Sequence, residues 1–95
     1  MAESKDYLEK IGKLAVAEHL RWKSRNLACD TLREARRGAG IERGEPITEE
    51  MFEAEDLAEW RAMEHEVQRA QRRLDTARAA TRRAIALATN PEQSA

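Results

Sequence analysis

The sequence has few cysteine, proline, glycine and aromatic residues and no long apolar run. Its 95 residues include one cysteine, two prolines, four glycines and four aromatic side chains, and no apolar run approaches the roughly 18 residues of a transmembrane helix. A single cysteine excludes an intramolecular disulfide framework and favours a reducing compartment. Since the sequence also shows no signal peptide, we expect a cytoplasmic protein. Four aromatic side chains are too few to fill the core of a β-sandwich.

Alanine, glutamate, arginine and leucine are abundant, and this composition favours long helices. Gly38 suits a left-handed helix end, Thr48 suits an N-cap, and the pair Asn90-Pro91 ends the helical pattern. We therefore predict a single domain over residues 1–95, in the order helix 4–37, loop 38–47, helix 48–89 and polar tail 90–95.

The second predicted helix carries a heptad repeat. Apolar or small side chains recur in alternating steps of three and four residues, which is typical of a helix that packs along another helix. The repeat consists of Trp60, Met63, Val67, Ala70, Leu74, Ala77, Thr81, Ala84 and Ala88. Alanine is frequent in this seam from residue 70 onward, so we expect a partner backbone to approach closely there.

The first predicted helix has two apolar faces. Its main stripe contains Tyr7, Ile11, Leu14, Ala15, Trp22, Cys29 and Leu32. A second stripe on the opposite side contains Val16, Leu20 and Leu27. A two-helix hairpin needs only one apolar face per helix, so the second stripe predicts binding to another protein or self-association, with a dimer favoured, into a helical bundle. The alternative is that these three side chains are simply exposed on a monomer.

Charge is segregated along the chain. Residues 1–40, 41–66 and 67–95 have net charges of +3, −8 and +4, although the whole chain sums to −1. Folding the helices back antiparallel places the acidic start of the second helix beside the arginines at the end of the first, whereas a parallel arrangement does not. Surface ion pairs contribute only about 0–1 kcal/mol each, so the pattern selects orientation more than it stabilises. We predict an all-α, coiled-coil-like antiparallel hairpin.

No motif specifies a reaction. Cys29 lies on the main apolar stripe, where a buried cysteine behaves as a small hydrophobe, and His19 lies nearly three helical turns before it. His65 lies on the other helix, and its neighbours Glu64 and Glu66 point about 100° away from it, so the three cannot chelate one ion. We expect a protein that is not an enzyme and that has no catalytic residue, metal ligand or cofactor.

An acidic surface at the start of the second helix is the main candidate for partner binding. Its members are Glu49, Glu50, Glu53, Asp56 and Glu59. Such a surface can engage a basic groove on another protein or nucleoprotein complex and can steer association. Phe52 and Trp60 are interspersed and could supply apolar anchors. The alternative is that both aromatic side chains only cover the loop end of the hairpin.

Nucleic-acid binding is the alternative function. Arg69, Arg72, Arg73 and Arg83 share the face of the second helix opposite the heptad seam, and a row of arginines can bind phosphates. Against this, the acidic residues of 41–66 would repel a polyanion. No aromatic side chain is interleaved among the four arginines to stack on a base. The simpler interpretation is that these arginines form a solvated face of a long helix.

In size and two-helix organisation the chain resembles the WXG-type secreted hairpins. The turn here reads Gly38-Ala39-Gly40 and lacks their tryptophan, so this resemblance implies no function. In size, acidity and absence of catalytic motifs the chain also resembles small phage-encoded accessory proteins that inhibit a host enzyme or complex. That resemblance implies an inhibitor or adaptor.

Overall fold

The computed structural model describes residues 2–89, with side chains from residue 6 onward. It contains two helices, α1 (Ala2–Gly38) and α2 (Ala54–Thr89), and no strand among these residues. The helices pack extensively on each other, and the predicted all-α helical hairpin is confirmed. In the described part of the chain, neither helix has a stretch long and apolar enough to cross a membrane. The predicted tail, 90–95, lies outside the described residues.

The contacts divide the chain into two compact units. The terminal unit pairs the start of α1, up to residue 23, with the part of α2 from residue 72 onward. The loop unit comprises residues 24–71, which are the end of α1, the connecting loop and the start of α2. Because the first part of α1 pairs with the last part of α2, the order is antiparallel, as the charge pattern predicts.

The heptad seam of α2 is confirmed. Each of its nine members is buried or half-buried, and Leu74 is completely inaccessible. Thr81 is the polar member, and its hydroxyl donates to the Ala77 carbonyl at 3.1 Å, so burial leaves no unpaired hydroxyl there. Small side chains such as Ala70 and Ala84 are among the most buried in the described chain. The periodicity therefore identified the packed face of α2 correctly.

The main stripe of α1 is only partly buried. Ile11, Leu14, Cys29 and Leu32 are half-buried as predicted, but Tyr7, Ala15 and Trp22 are exposed. Trp22 stacks on His19 instead, with ring centroids 5.5 Å apart. The half-buried seam of α1 also includes Glu18 and Arg25, and Arg25 donates to the Gln71 side chain of α2 at 3.4 Å. Charged residues within this seam explain why α1 contributes no fully buried side chain among those described.

The end of α1 is closed by a left-handed glycine, but at Gly40 rather than at the predicted Gly38. Gly38 is still helical, whereas Gly40 has a φ of 75°. The amide of Ile41 donates to the Arg36 carbonyl at 2.9 Å, and the amide of Gly40 donates to the Arg37 carbonyl at 3.2 Å. This is the Schellman arrangement, which satisfies the last helical carbonyls and turns the following residue back toward the helix.

The second helix begins at Ala54, so the predicted start at residue 48 is wrong. The Glu53 carbonyl accepts the first helical hydrogen bond, from Leu57 at 2.8 Å, and Thr48 instead begins a turn that the Met51 amide closes. The Phe52 and Trp60 rings stack with centroids 5.2 Å apart. In a continuous helix, residues eight apart would be separated by about 12 Å along the axis. The stack therefore requires the chain to fold back before Ala54.

Candidate functional site

The loop between the helices is held by one arginine from each helix. Arg36 of α1 donates to the Glu42 carbonyl at 2.7 Å and also to the Glu45 carbonyl. Arg61 of α2 donates to the Ile47 carbonyl at 2.8 Å and pairs with Glu64 at 2.7 Å. Ile47 itself is buried, which anchors the loop on the hairpin. The loop is thus held at several points by contacts with both helices.

The predicted acidic residues are accessible. Glu49, Glu50, Glu53, Asp56 and Glu59 are all exposed, and we call this set the acidic surface. None of the five carboxylates makes an ion pair with a described side chain. Met51 lies among them in sequence and is 40% exposed, so an apolar contact is available beside the negative charges.

The two aromatic side chains predicted as anchors differ in accessibility. Trp60 is 7% exposed and belongs to the core, so its predicted place on a partner-binding surface is corrected. Phe52 is half-buried because it covers one face of the Trp60 indole. Trp60 is buried because it lies at the start of the heptad seam. The structure agrees with the alternative interpretation, in which both rings cover the loop end of the hairpin.

The predicted pairing of unlike charges across the loop unit does not form. The three ion pairs among its described residues, Arg33–Asp30, Arg61–Glu64 and Arg69–Glu66, each join two residues three apart on one helix. Among the described side chains, Arg25 of α1 donates a hydrogen bond to the Gln71 side chain of α2 at 3.4 Å. Among the described side chains, no carboxylate of the acidic surface therefore forms an ion pair with an arginine at the end of α1.

The predicted arginine face of α2 is solvent-accessible. Arg69, Arg72, Arg73 and Arg83 are all exposed. Arg69, in the loop unit, lies 3.4 Å from Glu66, whereas the other three, in the terminal unit, make no ion pair with a described side chain. Every lysine of the chain lies at or before residue 23, so all fixed positive charge beyond that point is carried by arginine.

The three aliphatic side chains of the second α1 stripe are exposed. Val16, Leu20 and Leu27 are 62%, 56% and 69% accessible. Val16 and Leu20 lie one helical turn apart in the terminal unit, and Leu27 lies in the loop unit. Their exposure is the condition that the predicted second interface requires.

The potential catalytic and metal-binding side chains do not converge. Among the described residues, no group of three or more histidine, cysteine or acidic side chains is arranged to hold a metal ion. Cys29 is a free thiol and is half-buried, His19 stacks on Trp22, and His65 is exposed on α2. No nucleophile and base are therefore brought together by these three residues.

A cleft in the loop unit is a feature that the sequence patterns did not reveal. It has a volume of about 640 Å³, and we call it the arginine cleft. Its apolar lining residues, which we call the floor, are Cys29, Leu32, Ile41 and Val67, and its charged lining residues are Glu34 and the arginines Arg33, Arg36, Arg37 and Arg43. The clustering of arginines around a glycine-rich helix end was the available signal, but it is also typical of cations that oppose the helix dipole.

Side chains from three parts of the loop unit form this cleft. The Schellman turn at Gly40 brings Ile41 back toward the helix end, α1 supplies Cys29 and Leu32, and α2 supplies Val67.

Comparison of the chain with protein-family models, curated proteins and solved structures finds no match.

Proposed function

We propose that this chain is a non-enzymatic helical protein-binding module, an inhibitor or adaptor of the phage accessory type. In this proposal it acts in the cytoplasm on a larger protein or nucleoprotein complex. The observation that carries the proposal is the acidic surface, whose five carboxylates are exposed and free of ion pairs with described side chains. Its partner would present a basic groove.

The charge of this surface favours association more than fold stability. Residues 41–66 have a net charge of −8, and the hairpin does not use this charge for cross-helix ion pairs within the loop unit. Uncompensated like charge steers a basic partner during encounter and is screened by salt. Met51, exposed among the carboxylates, offers the apolar contact that a purely electrostatic surface lacks.

The test compares two double charge reversals. Glu53→Lys with Asp56→Lys changes the acidic surface, and Asp6→Lys with Glu9→Lys makes the same charge change at exposed positions of α1. Each tagged variant is used for capture from the native host, and binding of the recovered partner is then measured at several salt concentrations. We expect the first variant to lose the partner and the salt dependence, while the matched control keeps both. Equal binding by all three proteins would exclude the acidic surface.

We further propose that Val16 and Leu20 contribute to a homodimer. Both are exposed aliphatic side chains one turn apart, and burying each against a second copy would remove apolar surface from water. Light scattering should show a dimer for the wild type and a helical monomer for Val16→Glu with Leu20→Glu. The matched variant, Ala15→Glu with Ala17→Glu, adds the same charge at exposed positions of α1 and should remain dimeric. A monomeric wild type would refute this interface.

The second candidate function is nucleic-acid binding, which is favoured by the exposed Arg72, Arg73 and Arg83 without ion pairs to described side chains. It predicts a complex whose affinity falls steeply with salt, because phosphate contacts release counterions. Changing these three arginines to alanine should abolish a gel shift, whereas changing Lys10, Lys13 and Arg21 removes the same charge elsewhere and should not. No shift of duplex or single-stranded probes at low salt would eliminate this function.

A further inference from the structure

We infer that the arginine cleft of the loop unit binds a small aliphatic anion: a molecule with an alkyl body and one carboxylate or phosphate head. This inference is independent of the proposed protein-binding function, because the cleft and the acidic surface are formed by different residues. The two can therefore succeed or fail separately.

The size and floor of the cleft fit the body of such a ligand. A volume of about 640 Å³ lies within the range of small-molecule sites. Leu32, Ile41 and Val67 present aliphatic side chains, and Cys29 adds a half-buried thiol. None of the described aromatic side chains lines the cleft, so these residues offer no stacking surface for a nucleobase there. An alkyl chain is the ligand body that this floor recognises.

The lining of the cleft fits the anionic head. Its four basic side chains are all arginine, whose planar guanidinium group binds carboxylate and phosphate oxygens in pairs. Arg37 and Arg43 make no ion pair with a described side chain, whereas Arg33 lies 3.2 Å from Asp30. Glu34 opposes an anion, but the lining still has a net positive charge. Arg37 and Arg43 are therefore the side chains available to hold the head group.

Arg36 places a further charge at the cleft in a fixed position. Its guanidinium group donates to the Glu42 and Glu45 carbonyls, which are neutral acceptors, so these bonds orient the cation without cancelling its charge. Arg36 and Arg37 also lie in the last turn of α1, where cations stabilise a helix end. A test on the cleft must therefore change Arg37 and Arg43 and leave the loop-anchoring Arg36 intact.

Cys29 provides a direct measurement of occupancy, because it is the only cysteine of the chain and lies on the floor of the cleft. The rate at which neutral N-ethylmaleimide alkylates Cys29 is measured with and without decanoate, kept at concentrations where it is monomeric. We expect decanoate to slow alkylation about tenfold at saturation. Decanol, which has the chain without the charge, and inorganic phosphate, which has the charge without the chain, should protect much less.

Two arginine variants distinguish head-group recognition from general electrostatics. Arg37→Gln with Arg43→Gln should weaken protection by decanoate by about fivefold or more. Arg21→Gln with Arg82→Gln removes the same charge from exposed positions in the terminal unit and should leave protection unchanged. Circular dichroism checks that both variants stay helical, and the wild-type comparison of decanoate with decanol tests the inference without any variant.

Several results would overturn the inference. These are equal protection by decanol and decanoate, no protection by decanoate at all, or protection that survives the loss of both Arg37 and Arg43. Vesicles of anionic phospholipid form a separate arm of the experiment. Protection by vesicles without protection by monomeric decanoate would assign the cleft to a lipid surface and overturn the assignment to a free amphiphile.

Discussion

At the scale of single residues, two glycines of the chain have opposite roles. Gly12 lies inside α1, and an added Cβ there meets no atom within 4 Å. Gly40 has a φ of 75°, a conformation that side-chain-bearing residues adopt at a cost. The same substitution should therefore change stability in opposite directions at the two positions.

We predict that Gly12→Ala raises the free energy of unfolding by about 0.5–1 kcal/mol, because alanine loses less backbone freedom in a helix. Gly40→Ala should lower it by about 1–2 kcal/mol. Urea unfolding followed by circular dichroism measures both changes. Stabilisation by Gly40→Ala would mean that the Schellman turn does not control the end of α1.

At the scale of the helix, the close packing of α2 depends on alanines at defined positions. Ala84 is 5% exposed and lies in the heptad seam, whereas Ala86, two residues later, is exposed. Leucine at position 84 would have to displace the facing helix, but leucine at position 86 would extend into solvent. Both substitutions replace alanine by leucine inside α2, so the change in helix propensity is the same. A difference in stability between them therefore reports the packing at position 84.

We predict that Ala84→Leu destabilises the chain by about 1–3 kcal/mol through overpacking. Ala86→Leu should change the free energy of unfolding by no more than about 0.5 kcal/mol. Chemical denaturation of the two variants side by side provides the measurement. Similar effects at both positions would argue against a close approach of the helices at Ala84.

The helix scale also shows where sequence patterns were sufficient. The seam of α2 was predictable because it is periodic, and each of its nine residues is buried or half-buried. The start of α2 was not predictable, because the stacking of Phe52 on Trp60 and the bond from Arg61 to the Ile47 carbonyl are tertiary contacts. Thr48 and the two following glutamates have the chemistry of a helix start, and those contacts override it.

The candidate sites also include features that were predictable from the sequence and features that were not. The exposure of the acidic surface was predictable from its charge, since isolated carboxylates are rarely buried. The arginine cleft was not, because it requires the turn at Gly40 to bring Ile41 beside side chains of both helices. The burial of Trp60 was ambiguous in the sequence, where the same residue could begin the seam or serve as an exposed anchor.

At the scale of the whole molecule, the two units differ in the sequence separation of the segments that pair and in the size of their buried side chains. The loop unit joins residues closer in sequence, and its buried side chains are Ile47, Trp60 and Ala70. The terminal unit joins residues far apart in sequence, and alanine and threonine accompany Leu74 in its buried face. Long-range closure costs more chain entropy, and small side chains bury less apolar area.

We therefore predict lower opening free energies for amides of residues 76–86 than for those of residues 60–70. Native-state hydrogen exchange measures both sets in one experiment, and the ends of the helices are left out because they fray. Equal or reversed protection would show that chain closure and side-chain size do not determine the stability of these units.

The absence of lysine beyond residue 23 restricts which chemistry can reach each surface. The acidic surface, the arginine cleft and all of α2 contain no side-chain amine. Enzymes that acetylate or ubiquitinate lysine side chains cannot change the charge of these regions, since guanidinium groups are not their substrates. Coupling the protein to a resin through lysine side chains would attach it only by the first part of α1, and would leave the acidic surface and the cleft unmodified.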